Sequence, residues 1–178
     1  MALKATIFKA ELTVSDLDRH HYASHSLTLA RHPSETDERL MVRLLAFALN
    51  ADEALEFGRG LSAEGEPDLV KKDLTGAIEL WIDVGLPDER EIRKASGRAR
   101  QVLVYAYGGR SAQLWWNQNR AALERLANLR VFELPAQATQ ALAAMAGRNM
   151  RLSVTLQEGH AWIASGDAAA EFAPVALR

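Results

Sequence analysis

The segment "GEPDLVKKDLTGAIELWIDVG", residues 65–85, decides the fold because it predicts two strands joined by a short turn. Pro67 lies where the first strand begins, a position at which a sheet tolerates proline. Thr75 and Gly76 predict the turn, either as a loop of two residues or as a loop of four that begins at Asp73. The segment is therefore expected to form an antiparallel hairpin.

The second strand of this hairpin, "IELWIDVG", has two different faces, because successive side chains of a strand point to opposite sides of the sheet. The apolar face carries Leu80, Ile82 and Val84. The other face sets two carboxylates on either side of an indole, at Glu79, Trp81 and Asp83. With either loop length, the first strand adds to this polar face Asp68, Val70 and Lys72.

The sequence on both sides of the hairpin predicts a mixed β-sheet flanked by helices, in an α/β (mixed α+β) fold. The runs "KATIFKAELTVS" and "HHYASHSLTLAR" predict an opening hairpin, and "NMRLSVTLQEGHAWIAS" predicts a closing one. Between them, helices are predicted after Ser34 and Asp88, each a suitable N-cap, and they alternate with strands. We expect one domain over residues 1–178, with a loosely ordered tail over residues 166–178.

The composition limits the classes of function. The chain has 178 residues, 48% of them hydrophobic, and a formal net charge of -2, so any affinity for nucleic acid must come from a local basic patch or a bound metal. The absence of cysteine excludes disulfides, thiolate zinc sites and cysteine nucleophiles, and it is typical of a reducing compartment. No apolar run approaches the length of a membrane span, so we expect a cytoplasmic protein with no membrane partner.

The carboxylates of the hairpin favour a metal site. Asp68 and Glu79 lie on neighbouring strands and on the same predicted face, so we expect them to meet in space. Hard divalent cations prefer clustered oxygen ligands, and waters and a substrate phosphate can complete their coordination. The alternative is a solvent-facing strand edge on which these acids pair with nearby lysines.

The residues also resemble a known family. The pair Pro67-Asp68 followed by Glu79-Leu80-Trp81 looks like the Pro-Asp and acid-x-Lys signature of the PD-(D/E)XK nuclease-like (restriction-endonuclease-like) fold. The longer block over residues 65–108, with the opening hairpin and the helix "ETDERLMVRLLAFAL", is similar to the YaeQ family, regarded as a variant of that fold. The resemblance covers most of the chain.

This resemblance implies a metal-dependent phosphodiesterase or nuclease that acts on nucleic acid and uses Mg²⁺ or Mn²⁺. Asp68 and Glu79 match the two metal-binding carboxylates of the pattern, and Glu38 of the first helix and Asp83 are further candidate ligands. The pattern expects a lysine where this sequence has Trp81, and an indole has one N–H donor and no charge. The candidates for the missing catalytic ammonium are Lys72 and Lys94.

Two other patterns leave alternatives open. The stretch "DEREIRKASGRARQ" brings together basic residues that predict a nucleic-acid-binding patch, chiefly Arg93, Lys94 and Arg98, or else an ordinary charged helix face. The histidines of "HHYASH", His20, His21 and His25, invite a metal interpretation, but the segment predicts a turn and a strand, not the helix that such spacing suits. Because Trp81 breaks the pattern, the competing hypothesis is a catalytically degenerate nuclease-like module that binds nucleic acid or a protein. A third is a scaffold whose acidic cleft is vestigial.

Overall fold

The structure, a computed structural model, describes residues 4–59, 61 and 64–178. Residues 1–3, which precede the run "KATIFKAELTVS" of the predicted opening hairpin, lie outside this range. So do residues 60, 62 and 63 of the loop predicted before Pro67. Among the described residues there are four helices and eleven strands.

The helices and strands alternate through the middle of the chain, as the sequence predicts. The helices are α1 (Asp37–Leu49), α2 (Glu89–Arg98), α3 (Arg110–Leu123) and α4 (Ala136–Ala144). The strands are β1 (Thr6–Asp16), β2 (His21–Arg31), β3 (Leu55–Phe57), β4 (Leu69–Lys72), β5 (Ile78–Val84), β6 (Ala99–Ala106), β7 (Leu129–Glu133), β8 (Asn149–Gln157), β9 (His160–Ser165), β10 (Ala168–Phe172) and β11 (Val175–Ala176).

The described strands form two sheets, where the sequence analysis expected one. The hairpins β1–β2 and β8–β9 join in a five-stranded sheet of order β10-β9-β8-β1-β2, because β1 pairs with β8 in parallel. The second sheet has six strands in the order β11-β7-β6-β5-β4-β3, in which β5, β6 and β7 run parallel. The opening and closing hairpins are thus confirmed, but they form a layer of their own.

The β4–β5 hairpin is confirmed, with a different turn. Lys72 pairs with Ile78, so the loop has five residues, and a register shift beyond Lys71 leaves Glu79 without a partner on β4. From Lys71 back to Leu69, away from the turn, the pairing is the one that a two-residue loop would give, with Val70 opposite Trp81. The predicted sharing of faces therefore holds at the end of the hairpin away from the turn, where Asp68 directly precedes β4.

Two apolar clusters hold the sheets and helices together. The larger one surrounds α1 and takes side chains from both sheets, including Ile82 and Val84 of the predicted apolar face of β5. The smaller one lies on the opposite side of the six-stranded sheet and contains Trp81 and Trp116. None of the described helices has the length and hydropathy needed to cross a membrane.

Two local predictions need correction. Helix α1 is capped by Thr36, whose side chain accepts a hydrogen bond from the backbone N–H of Arg39, and not by Ser34. The segment predicted as a loose tail forms β10 and β11, which pair with β9 and β7, and Phe172 is buried in the larger cluster. A buried aromatic side chain and paired strands hold this segment in place.

Candidate functional site

A cleft with a volume of about 760 Å³ opens at the end of the six-stranded sheet where the parallel strands β5 and β6 finish. Its walls include the last residue of β5 and the chain after it, from Val84 to Asp88, and, after β6, Tyr107, Gly108 and Ser111. Gly85 turns the chain out of β5 with φ 95, a conformation that glycine adopts without strain. Ligands of open α/β sheets bind outside the carboxyl ends of the parallel strands, so this is the expected place for a site.

Asp68 lies on the floor of the cleft and is held from two sides. Its Oδ1 accepts a hydrogen bond from Nη2 of Arg39 at 2.8 Å, and its Oδ2 accepts one from the backbone N–H of Val84 at 2.9 Å. Only 6% of the residue is exposed. Its orientation is therefore fixed before any ligand arrives.

Asp83 is the second carboxylate of the floor, 9% exposed. Its Oδ2 accepts a hydrogen bond from the indole N–H of Trp81 at 3.0 Å, and its Oδ1 lies 3.4 Å from the backbone N of Asp68. Burial, and next the negative charge of Asp68, raise the pKa of Asp83 to about 7. The carboxyl of Asp83 thus takes up a proton near neutral pH, and the negative charge of the adjacent Asp68 favours a proton or a cation beside it.

A chain of ion pairs leads from the cleft into the core. Arg39 Nη1 contacts Oε2 of Glu35 at 2.8 Å, and Glu35 Oε1 in turn contacts Nη2 of Arg43 at 2.6 Å. Glu35 and Arg43 are almost fully buried, 2% and 1% exposed. Buried charges need such partners because water does not reach them. The chain fixes Arg39, and through Arg39 it fixes Asp68.

The cleft has an aromatic hydroxyl on one side and an acidic rim. Burial raises the pKa of Tyr107 to about 12, so its hydroxyl stays protonated and can donate a hydrogen bond. The other carboxylates among the lining residues are Glu64, Glu66, Asp88 and Glu91. With Arg39 as the cation of the lining, the cleft favours cationic ligands, or anionic ones accompanied by a metal ion.

The predicted meeting of Asp68 with Glu79 is wrong. The strands run antiparallel, and the pairing places Asp68 beside Asp83, four residues from Glu79, which is about 13 Å of extended strand. Glu79 instead lies 3.7 Å from Nζ of Lys71 and 3.7 Å from Nη1 of Arg100. Glu79 is thus a strand residue that pairs with nearby basic side chains, as the alternative interpretation expected. The carboxylate that lies next to Asp68 is that of Asp83.

The other predicted ligand and the predicted lysines lie around the site. Glu38 faces Thr139 of α4, with Oε2 3.4 Å from its hydroxyl, and is not among the residues that line the cleft. Lys72 ends β4, at the opposite end of that strand from Asp68. Lys94 pairs with Glu91 at 3.1 Å, and both line a smaller pocket that also reaches Trp81. Lys94 is therefore the predicted lysine nearest to the cleft.

The predicted basic patch lies on α2, beside the cleft. Arg93 pairs with Glu89 of its own helix at 2.5 Å, while Arg98 stacks over the ring of Trp81 with its Cζ 5.1 Å from the centroid. All three basic side chains, Arg93, Lys94 and Arg98, are exposed. Trp81 itself is buried beneath Arg98, so it packs within the sheet and does not offer a free stacking surface.

Arg39, Glu35 and Tyr107 were missed by reasoning from the sequence. One signal was available for the first two, since Glu35, Arg39 and Arg43 recur at intervals of four and so share one side of a helix, the side that also carries apolar residues. A charged residue on the buried side of a helix requires a partner. Tyr107 had no such signal, because its place in the cleft depends on where β6 ends.

The fold and the site together define a mixed α+β protein with two sheets, four described helices and a cleft built around two buried aspartates. The model of the YaeQ protein family matches residues 1–174, and the chain belongs to that family.

Relatives and solved structures agree with this assignment. The chain is 49% identical over 163 residues to the uncharacterized protein YaeQ of Escherichia coli K12, covering 92% of this chain and 90% of that protein. It is similar to the crystal structure of YaeQ from Xanthomonas axonopodis pv. citri, with a TM-score of 0.95, 53% identity and 98% of each chain covered. For the structure from Pseudomonas syringae the TM-score is 0.93 and the identity 36%, with 98% of this chain and 96% of that chain covered.

Proposed function

We propose that this protein is a metal-dependent phosphodiesterase of the PD-(D/E)XK type that acts on nucleic acid, with Asp68 and Asp83 as the metal ligands. The observation that carries the proposal is the pair of buried, adjacent carboxylates on the floor of the cleft. The position of Pro67-Asp68 directly before β4, in a mixed sheet flanked by helices, supports the assignment to that fold type.

The donor set of the cleft fits Mg²⁺ or Mn²⁺. Mg²⁺ is usually held by one or two carboxylates, with waters and substrate phosphates in the remaining positions. Each oxygen of Asp68 accepts one hydrogen bond from the protein, which leaves a second lone pair on each for a cation. A divalent cation would also offset both causes of the raised pKa of Asp83, first its burial and next the negative charge of Asp68.

When bound, the metal would activate a water and neutralise charge on the scissile phosphate. The residues of the chain have separate tasks in this proposal. Arg39 holds Asp68 in place, and the indole of Trp81 holds Asp83. The backbone phosphates of the nucleic acid bind to the exposed basic side chains of α2 beside the cleft, Arg93, Lys94 and Arg98. Lys94 is the candidate for the ammonium that the family pattern places at Trp81.

The test is cleavage of single- and double-stranded DNA and RNA with Mg²⁺ or Mn²⁺. We expect Asp68→Asn and Asp83→Asn each to lower the rate by about 100-fold or more, because removing a metal ligand costs at least as much as removing its hydrogen-bond partner. Glu79→Gln is the matched control, since the structure keeps Glu79 out of the cleft, and it should retain activity. Cleavage of none of these substrates by the parent protein, or cleavage that survives both aspartate changes, would contradict the proposal.

A second candidate function is a non-hydrolytic module that binds nucleic acid or a protein. Trp81 favours it, because the position of the expected ammonium holds a buried indole that is already bonded to Asp83. Such a module would show saturable, salt-sensitive binding without turnover. Neutralising Arg93, Lys94 and Arg98 together should weaken that binding and reduce its dependence on salt. Robust cleavage, or binding unaffected by the triple change, would remove this candidate.

A further inference from the structure

A pocket with a volume of about 340 Å³ lies between the two sheets. Strands β5, β6 and β7 contribute to one of its walls, strands β1, β8 and β9 contribute to the other, and α1 contributes its last residue. On β5 and β6 the pocket reaches Leu80 and Gln101, near the starts of these strands, whereas the cleft lies where they finish. Among the described residues, none lines both. The pocket between the sheets is therefore a second place for a ligand, separate from the cleft.

The hydroxyl of Tyr105 in this pocket has a proton without an acceptor. Nδ2 of Asn50 donates to the hydroxyl at 2.8 Å and also to the carbonyl oxygen of Ala46 at 2.9 Å, so the Tyr105 oxygen is the acceptor. Tyr105 is only 4% exposed, and none of the described residues accepts a hydrogen bond from its O–H. Burial raises the pKa of Tyr105 to about 12, so the hydroxyl stays protonated near neutral pH. A buried donor of this kind favours a ligand with an acceptor oxygen.

Arg130 of β7 supplies a positive charge on the same wall. Its guanidinium lies over the ring of Phe132, with Cζ 5.1 Å from the centroid, and the ring of Phe132 stacks with that of Tyr105 at 5.6 Å. Arg130 has no ion pair with any residue that the structure describes. Burial raises the pKa of Tyr105, whereas the hydrogen bond from Asn50 and then the charges of Arg130 and Arg19 lower it. Both arginine charges therefore act at the Tyr105 hydroxyl, which favours an anionic acceptor there.

Two carboxylates of the pocket limit the charge that a ligand can carry. Asp16 is buried and pairs with Nε of Arg19 at 2.7 Å. Asp18 accepts hydrogen bonds from two backbone N–H groups of the β8–β9 turn, at 2.7 and 3.1 Å. The positive charges of Arg19 and Arg130 are thus balanced by two negative ones. A ligand with a single negative charge can pair with Arg130, whereas a polyanion such as a nucleoside triphosphate would be repelled by both aspartates.

The remaining lining favours a ligand with an apolar body. A volume of about 340 Å³ is at the low end of the range for small-molecule sites, so it suits a body of one or two rings. The rings of Phe132 and Tyr105 lie within 21° of each other and offer an aromatic surface to such a body. The apolar side chains of the lining are Leu49, Leu80, Leu103, Phe132, Leu156 and Pro174.

We propose that the pocket between the sheets binds a small aromatic monocarboxylate, with its carboxylate at Tyr105 and Arg130 and its ring among the leucines. The carboxylate accepts one hydrogen bond from the O–H of Tyr105, which then has its acceptor. Its other oxygen pairs with the guanidinium of Arg130, in a charge-assisted contact. This binding does not depend on the metal-dependent activity proposed for the cleft, because the two sites share no described residue.

The test is a titration of the full, isotopically labelled chain with cinnamate and with benzoate, followed by the backbone N–H signals in NMR. We expect a dissociation constant of about 5 mM or below for cinnamate, the value that ordinary ligand efficiency gives for a molecule of this size. The signals of Asn50 and Gly159, which line the pocket, should shift, and those of Gly85 and Gly108, which line the cleft, should not. Shifts confined to the cleft, or no shift with either acid up to about 20 mM, would overturn the proposal.

A neutral analogue, cinnamamide, tests the role of the charge in the same titration. It has the shape of cinnamate and no carboxylate, so it cannot form the ion pair with Arg130. We expect its dissociation constant to be about tenfold higher than that of cinnamate, or more. Equal binding of the acid and the amide would show that the pocket takes apolar bodies without regard to charge, and the proposal would fail.

Variants of the two proposed contacts complete the test. Arg130→Gln should weaken cinnamate binding about tenfold or more, and Tyr105→Phe about fivefold, while the binding of cinnamamide to Arg130→Gln should not change. Arg151→Gln is the matched control, because Arg151 is an exposed arginine of β8 outside the pocket, and it should bind as the parent does. Arg130 is exposed, so Arg130→Gln should fold, and its N–H spectrum checks this. Unchanged cinnamate binding in Arg130→Gln would contradict the proposal.

Discussion

The carboxyl of Asp83 lies between the indole of Trp81 and the backbone of Asp68, with little access to water. Its pKa is about 7 in the folded chain, against an ordinary value of 3.8. Between these two pH values the folded state holds a proton that the unfolded state has released. The free energy of unfolding therefore falls as pH rises from about 4 to about 7 and is level above that range.

Asp83→Asn removes this titration while keeping an oxygen that can accept from Trp81. The variant should be more stable than the parent at pH 8 by roughly 2–4 kcal/mol, with a smaller difference at pH 5. Urea unfolding at the two pH values, without metal, measures it. Glu56→Gln, an exposed carboxylate of β3, is the control and should change little at either pH. A difference that grows toward low pH would show that Asp83 is ionised in the folded chain.

Arg39 is the cation that joins Asp68 to the buried Glu35. Arg39→Ala should lower the free energy of unfolding by about 3 kcal/mol, because breaking a buried ion pair leaves uncompensated charge behind. Arg93→Ala is the matched control, since the pair with Glu89 is on the surface, and it should cost less than about 1 kcal/mol. Equal losses in the two variants, measured by denaturant unfolding, would show that Arg39 does not fix the floor of the cleft.

At the scale of the element, the β4–β5 hairpin shows what the sequence could and could not predict. The alternation of β5 was enough to place Trp81 and Asp83 on one face and Ile82 on the other, because burial fixes the register of a strand. The loop was not predictable from Thr75 and Gly76 alone. The side chain of Asp73 accepts hydrogen bonds from the backbone N–H groups of Thr75 and Ala77, which closes a longer turn.

The antiparallel pairing of β4 with β5 explains why the predicted partner of Asp68 was wrong. Asp68 and Glu79 share a face in the predicted register, but sharing a face does not mean being adjacent along an antiparallel pair. The residues at the open end of the hairpin are Asp68 and Asp83, and those toward the turn include Glu79. The number of residues that separate each carboxylate from the turn can be counted in the sequence, and it would have paired Asp68 with Asp83.

Helix α1 offers a direct comparison between a predicted cap and the observed one. Thr36→Ala should lower the free energy of unfolding by about 1 kcal/mol, because the N–H of Arg39 loses its acceptor. Ser34→Ala should cost distinctly less, since the Ser34 hydroxyl contacts the half-buried His32 and, within the described residues, no N–H of the helix. The two values come from parallel urea titrations. A larger loss in the free energy of unfolding for Ser34→Ala would show that Ser34 is the N-cap, as the sequence predicted.

Over the whole molecule, local sequence patterns predicted the strands and helices, but they did not predict that the strands form two sheets. That division depends on the parallel pairing of β1 with β8, which brings together parts of the chain more than a hundred residues apart. Local periodicity carries no signal for such a contact. The last residues were misjudged for a related reason, since the small side chains of β10 looked unstructured but pair with β9.

The contribution of Phe172 to the free energy of unfolding shows how firmly this last segment is held. Phe172→Ala should lower the free energy of unfolding by about 3 kcal/mol, the usual cost of deleting a buried aromatic ring. Val175→Ala, at a residue that is 53% exposed, is the control and should cost under about 0.5 kcal/mol. If thermal unfolding shows equal, small effects, the segment is a loose tail after all.

We propose that a metal in the cleft is held by Asp68 and Asp83, and not by Asp68 and Glu79. Anomalous diffraction from crystals soaked in Mn²⁺ tests it most directly. We expect one peak in the cleft, about 2 Å from a carboxylate oxygen of each of the two aspartates. The peak should be absent from crystals of Asp83→Asn and present in those of Glu79→Gln. A peak beside Glu79, or no peak at the two aspartates in the parent protein, would contradict the account.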